Sequence, residues 1–457
     1  MKETLSERPR LGDLSATTWI SGSCQTTDTT EKSVCLFASP LHSSISYLQF
    51  ISILDMLLTM YTMSCLAYSS FTFLFKQVCG ELAFVGLYRL SSFYIALNFE
   101  RDPIHPSPLG PSILTEMFND ICEAVSANNR YFQLTCNGAH QPCFHTIQKV
   151  TAALRMLAYG GPADSLDEYL RMGESTILET VGQFTRTIVH LFASEYLREP
   201  NAHDIAALLQ VAEESGFPGM LGSIDCMHWE WEKCPTGWHG SYRGHHKKPT
   251  LILEAIASHD LWIWHAFFGL PGSCNDINVL HRSPVFENLA CGNAPAVTYI
   301  VNGRQYTMGY YLADGIYPPW ATLISGVPVA VDIKQQVFTA KQSEFRKDVE
   351  RTFGVLQGQY GIIKGPARMW HPEDLKYIVD CVIILHNMGI KYERHLPQLQ
   401  GHEYEAATSP DLDPNRDVPE ILQLIRAHER IRCKSRNEQL KHDLIEHVWN
   451  HQGHQRA

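Results

Sequence analysis

No two of the thirteen cysteines stand in a Cys-x-x-Cys pair, which argues against a zinc ribbon or a thioredoxin-like redox site. Their odd number, spread over 457 residues, also speaks against a secreted disulfide scaffold and for a reducing, intracellular setting. Positive charge is scarce: the formal net charge is -11. A basic footprint over the whole protein is therefore absent, and any grip on nucleic acid must come from local patches or from a partner. The first thirty positions lack the basic start and apolar core of a secretory signal. What is present is ordinary for a globular chain. At 45% hydrophobic and 19% charged, the composition excludes wholesale disorder, and the length allows a large core and two domains.

Four stretches divide the chain: an atypical segment over 1–112, a helical domain over 113–218, an α/β domain over 219–395 and a polar C-terminal tail with one helix over 396–457. Residues 1–32 are Ser/Thr-rich and read as disordered. Residues 56–75 carry no charge, long enough for a bilayer-spanning helix. Their many Ser, Thr and Tyr residues favour a buried helix pair instead, or a segment outside the fold. Four prolines between 102 and 112 mark a linker. Beyond it the period turns helical, through Met117, Ile121 and Val125, then Ile147, Val150, Leu154 and Leu157. A short helix over 164–170 and a longer one opened by Ser175 as N-cap follow. That outline suits a helix-turn-helix or a plain helical bundle, since the last helix offers only Arg186 as a base.

From Gly219 the texture changes to short β-branched and aromatic runs. Residues 221–224, 250–257, 262–268 and 307–312 read as strands, and 328–331 as a short apolar run. Helices follow over 275–280, 343–356 and 374–391. The 343–356 helix buries Phe345, Val349, Phe353 and Leu356. Four acids occupy telling places: Asp225 at the end of the first strand, Asp276 at the start of a helix, Asp314 at the end of the fourth strand, and Glu350 on the 343–356 helix. Asp276 alone could equally be an N-cap. Acids at strand ends and on an adjoining helix suit hard cations, which take oxygen ligands and assist phosphodiester cleavage. The order of elements describes an α/β nuclease core. The adjacent pair His245 and His246 reads as polar loop rather than as metal ligands.

Five blocks carry a family resemblance. They are Gly222-Ser223-Ile224-Asp225-Cys226-Met227-His228-Trp229, Pro271-Gly272-Ser273-Cys274-Asn275-Asp276-Ile277-Asn278-Val279-Leu280, Leu312-Ala313-Asp314-Gly315-Ile316-Tyr317-Pro318, Arg346-Lys347-Asp348-Val349-Glu350-Arg351-Thr352-Phe353-Gly354-Val355-Leu356 and Ile384-Leu385-His386-Asn387-Met388. In this order, over roughly 113–395, they resemble plant PIF/Harbinger-type transposases. The resemblance implies an RNase H-like fold, a mixed sheet flanked by helices, and a DDE nuclease using Mg²⁺ or Mn²⁺. It implies metal binding by Asp225, Asp276, Asp314 and Glu350. Strand logic makes Asp225, Asp314 and Glu350 the central catalytic triad and Asp276 an accessory ligand. It further implies DNA as substrate, a separate Myb-like DNA-binding partner, a nuclear location and a homo-oligomer. Residues 1–102 depart from the usual helical N-terminus of such proteins, and Cys274 and His281 are less polar neighbours of the acids than the pattern suggests.

Candidate DNA contacts are Arg243, Lys247 and Lys248 in the loop after Trp238, and Arg346, Lys347 and Arg351 around Glu350. The Arg426, Arg430, Arg432, Lys434, Arg436 run is a third, although interleaving with Glu429 and Glu438 suits a solvated helix face. The reading that competes with a nuclease is a domesticated, non-catalytic DNA- or protein-binding factor. A membrane-tethered protein using residues 56–75 is the third.

Overall fold

The computed structural model describes residues 111–394 and 421–455, apart from 137, 141, 245 and 246. The readings placed on 1–110, on 395–420 and on the histidine pair lie outside the described residues. All described residues fall within one of the chain's two compact units. Its helices are α1 (Pro111–Asn128), α2 (Thr146–Tyr159), α3 (Glu174–Tyr196), α4 (Ala202–Glu214), α5 (Asp276–Leu280), α6 (Ile333–Gln359), α7 (Pro372–Arg394), α8 (Ile421–Ile431) and α9 (Lys434–Gln455), with several single turns between them.

Five strands form one mixed sheet in the order β3-β2-β1-β6-β7, where β1 is Met220–Glu230, β2 is Thr250–Ala257, β3 is Ile263–Pro271, β6 is Tyr310–Leu312 and β7 is Leu323–Ile324. β1, β2 and β3 run antiparallel, whereas β6 and β7 run parallel to β1. A separate two-stranded ribbon joins β4 (Tyr299–Val301) to β5 (Arg304–Tyr306). Every residue of β2 is buried, because it lies between two strands with helices over both faces. That is why its sequence is a continuous apolar run interrupted only by Glu254.

Alternation along β1 and β2 sorts their side chains to two faces. Met227, Trp229, Leu253 and Ala255 join the large core that also holds Val349 and Leu356 of α6 and Ile378 and Val382 of α7. Ile224 and Ile256 join a smaller cluster with Leu280, Trp320, Ala427 and Ile431. The helices of 111–218 belong to the large core, through Val125, Leu157, Phe184 and Ile188. Arg186 on α3 pairs with Asp374 of α7 at 2.6 Å and lies over the Tyr377 ring. The one base that α3 offers is thus paired at the surface of the fold.

Several sequence expectations change in detail. β1 runs on to Glu230, so Asp225 is mid-strand and not at its end. What ends beside Asp225 is its neighbour: β6 stops at Leu312, opposite Ser223. The expected fourth strand over 307–312 is the shorter sixth, and residues 328–331 are coil while Leu323–Ile324 supply β7. α3 starts at Glu174 with Gly173 in the cap position and no capping side chain, so Ser175 is not the N-cap. Residues 421–455 form two helices, and the second holds the core by Arg304–Asp443 at 3.0 Å and Lys334–Glu446 at 2.6 Å.

The Ile384-Leu385-His386-Asn387-Met388 block is structural. Asn387 is fully buried. Its amide donates to the carbonyls of Tyr196 (2.7 Å) and Ile263 (2.8 Å) and accepts from the Ile263 N–H (3.0 Å). One side chain thus ties α7 to β3 and α3. Removing it leaves buried backbone groups unpaired, each at about 1–3 kcal/mol. Asn387→Leu is expected to lower unfolding stability by about 2–4 kcal/mol, measured by chemical denaturation. A loss below about 0.5 kcal/mol would contradict this role.

Candidate active site

The first acid is delivered by the Gly222-Ser223-Ile224-Asp225 sequence, each residue with its own task. Gly222 has φ +141°, and a Cβ there would meet the Ala257 carbonyl oxygen at 2.6 Å. The β1–β6 register shifts at this point, so the glycine permits the bulge that carries β1 away from β6. The Ser223 hydroxyl donates to the Phe345 carbonyl at 3.1 Å, fastening β1 to α6. Ile224 anchors the smaller core. Asp225 then faces α6 over the gap left by β6.

Across that gap stands α6. Arg346 and Glu350 are one turn apart on its exposed side. The Arg346 guanidinium lies 3.6 Å from the Asp225 carboxylate and 2.7 Å from that of Glu350. Glu350, Ser343, Glu344, Lys347 and Arg351 line an open concavity beside it. Asp314 follows β6 by two residues, with one carboxylate oxygen accepting the Gly315 N–H at 2.6 Å. Gln342 donates to the carbonyls of Ala313 (3.0 Å) and Ile324 (3.1 Å). It thereby sets the backbone from which Asp314 projects. A buried glutamine on the apolar stripe of α6 was the available sequence signal for this role.

Asp276 is the first residue of α5, but Asn275 is the cap: its side chain accepts the Asn278 N–H at 2.9 Å. The N-cap reading of Asp276 is therefore corrected, and its carboxylate is available for another role. The Cys226 thiol lies against it as a hydrogen-bond donor, and Cys226 Sγ is 3.5 Å from the Tyr317 hydroxyl. Beneath these groups Glu254, fully buried, pairs loosely with His265 at 3.6 Å.

The electrostatics bind these acids into one group. Burial pushes the Asp225 carboxyl up to about 6 against the pull of the Cys226 N–H and Arg346, and the charges of Asp276 and Glu350 push it further. Burial also raises Asp276; His228 opposes the rise, while Asp314 and Glu254 add to it. Asp276 is thus the link between Asp225 and Asp314. The donor set consists of carboxylate oxygens, which fit a hard divalent cation. Among the described residues, no group of three or more His, Cys, Asp or Glu closes on a single point, and Arg346 stands between two of the acids.

The chain is thus an α/β protein with a mixed five-stranded sheet flanked by helices and acids beside the gap between β1 and β6. Residues 194–397 match the model of a family described as plant transposon protein. The human protein named "Putative nuclease HARBI1" is 22% identical over 292 residues, covering 60% of this chain and 78% of that protein. The bovine protein of the same name is 21% identical over the same shares. No solved structure matches the chain significantly. The chain is thereby related to Harbinger-type transposases and the proteins derived from them. Among the described residues, no helix is long and apolar enough to cross a membrane.

The raised Asp225 carboxyl fixes a pH dependence. The folded chain keeps a proton that the unfolded chain releases near pH 4, so stability falls as pH rises from about 4 to about 6. Asp225→Asn, without divalent ions, is expected to raise unfolding stability at pH 7 by about 1–3 kcal/mol and to change it little below about pH 4. Destabilisation at pH 7 in chemical denaturation would contradict this.

Proposed function

We propose that this chain is a divalent-metal-dependent DNA endonuclease derived from a Harbinger-type transposase, with an RNase H-like core. The reading is supported by Asp225 and Glu350 sharing the Arg346 guanidinium, at 3.6 Å and 2.7 Å, beside the gap between β1 and β6, with the charge of Asp276 acting on Asp225 and that of Asp314 on Asp276. The sheet, with three antiparallel strands continued by two parallel ones, supports the RNase H-like assignment. The names of the human and bovine relatives support nuclease chemistry.

In this proposal Asp225, Asp314 and Glu350 hold Mg²⁺ or Mn²⁺, and Asp276 is an accessory ligand. The bound cation supplies an activated water and charge stabilisation at the leaving oxygen. The residues themselves prepare the site. Burial leaves Asp225 short of countercharge at neutral pH, Arg346 partly compensates it, and Gln342 and the Gly222 bulge hold the supporting backbone. Sequence recognition falls to a Myb-like partner, in keeping with the net charge of -11. The protein acts in the nucleus, as a homo-oligomer on the DNA.

One observation favours a second reading, a non-catalytic DNA- or protein-binding factor. Arg346 already bridges Asp225 and Glu350, the arrangement of a site neutralised by its own chain. Nicking of supercoiled plasmid by the purified full chain separates the two. The nuclease reading predicts cleavage only with Mg²⁺ or Mn²⁺, reduced at least about 100-fold in Asp225→Asn and in Glu350→Gln. DNA binding without cleavage would favour the second reading, and cleavage that survives both substitutions would remove these acids from the reaction.

A further inference from the structure

We propose that the α8–α9 junction is a phosphate-gripping arm that holds duplex DNA beside the Asp314 side of the site; the proposal rests on the nucleic-acid reading above. The junction is built onto the segment that follows Asp314. The Ala321 N–H donates to the Ile431 carbonyl at 2.9 Å. Asn437, almost wholly buried, donates to the carbonyls of Trp320 (2.7 Å) and Leu323 (2.6 Å). Ala427 and Ile431 enter the small core with Ile224, Ala313 and Tyr317. The Arg432 guanidinium lies 4.8 Å from the Trp320 ring centre, and that ring meets His281, just beyond α5, at 5.5 Å. Five residues separate Asp314 from Trp320, six Cα steps and a reach of at most about 20 Å. That is about six phosphate spacings along a strand.

Charge is distributed to match. Arg426, Arg430, Arg432, Lys434 and Arg436 are all exposed around the α8–α9 junction. Only Glu429 and Glu438 oppose them between 426 and 438, a balance of +3 (five bases less two acids) in a chain of net -11, and Glu438 pairs with Lys434 at 3.5 Å. Farther along α9, Asp443 holds Arg304 and Glu446 holds Lys334, while Lys441 turns inward to Ser325. The surplus of base on this element is therefore confined to the junction. Arg426 and Arg430, one turn apart, flank the buried Ala427 and Ile431. They rise beside the packed seam rather than on the far side of the helix. On α6, by contrast, Arg346 and Arg351 are engaged by Asp225, Glu350 and Asp348, so the exposed surplus of base lies on the α8–α9 side. Charge complementarity selects a polyanion, and the adjoining carboxylates, which repel phosphate unless cations intervene, make the flank the place where the backbone is gripped.

The test uses the full chain and a labelled duplex of arbitrary sequence, titrated at several salt concentrations. Arg426→Gln/Arg430→Gln/Arg436→Gln leaves the packed residues intact, and its thermal melt should match the wild type. The arm predicts at least about tenfold weaker binding, a log–log salt slope flatter by about two to three units, and unchanged Mn²⁺ binding. Glu350→Gln, on the nuclease side, should keep duplex affinity while losing cleavage. Wild-type affinity and slope in the triple variant would overturn the arm and leave the nuclease reading standing. Loss of cleavage in Glu350→Gln with full duplex binding would support that reading independently. A wild-type chain that binds no duplex would overturn both.

Discussion

Burial of one carboxylate beside other acids is the constraint around which this site is arranged. Burial is the main cause that keeps the Asp225 proton to about pH 6, and the charges of Asp276 and Glu350 add to it; Asp314 acts on Asp276 in the same sense. A fold selected for stability alone would not gather these groups at one gap, because each carboxylate raises the cost of ionising the next. The cost is met by Arg346 in part, and by rigid supports that stop the acids from drifting apart. Strongly perturbed acids of this kind concentrate at functional sites.

Those supports come from all levels of the structure. The Gly222 bulge opens the gap, Ser223 ties β1 to α6, and Gln342 sets the chain that leads to Asp314. Asn275 caps α5 and so leaves the Asp276 carboxylate available. On the outer side, α8 closes the small core beside Trp320 through Ala427 and Ile431. The sheet is therefore covered on both faces while the acids stay at its open central seam. A crevice of this kind, where neighbouring strands diverge, is a recurring place for a site in α/β sheets.

Much of this was legible in the sequence because it is local. The largely apolar 250–257 run, the α6 stripe and the acids themselves are read from period and spacing, and the five blocks carry the resemblance to Harbinger-type transposases. The parts that escaped depend on tertiary partners. Asp225 looked like a strand terminus because the chain changes character there, whereas the strand that ends is β6, nearly ninety residues on. Asn275 and Asp276 are both competent caps, and only geometry chooses between them. β7 is two residues long, too short to show a pattern. The His386-Asn387 pair reads as polar and site-like in isolation, yet its hydrogen bonds knit α7 to β3. Arg426 to Arg436 reads as a solvated face, and its five bases are exposed; what the sequence could not show is that Ala427, Ile431 and Asn437 between them pack against the segment after Asp314.

The central claim is that these carboxylates form one divalent-cation site. Calorimetric titration of Mn²⁺ into the full chain at pH 7, for wild type and Glu350→Gln, addresses it without any DNA substrate. The account predicts saturable binding by the wild type, weakened at least about tenfold, or 1.4 kcal/mol, in the variant. Absence of binding by folded wild-type protein, or equal affinity in the two, would contradict it.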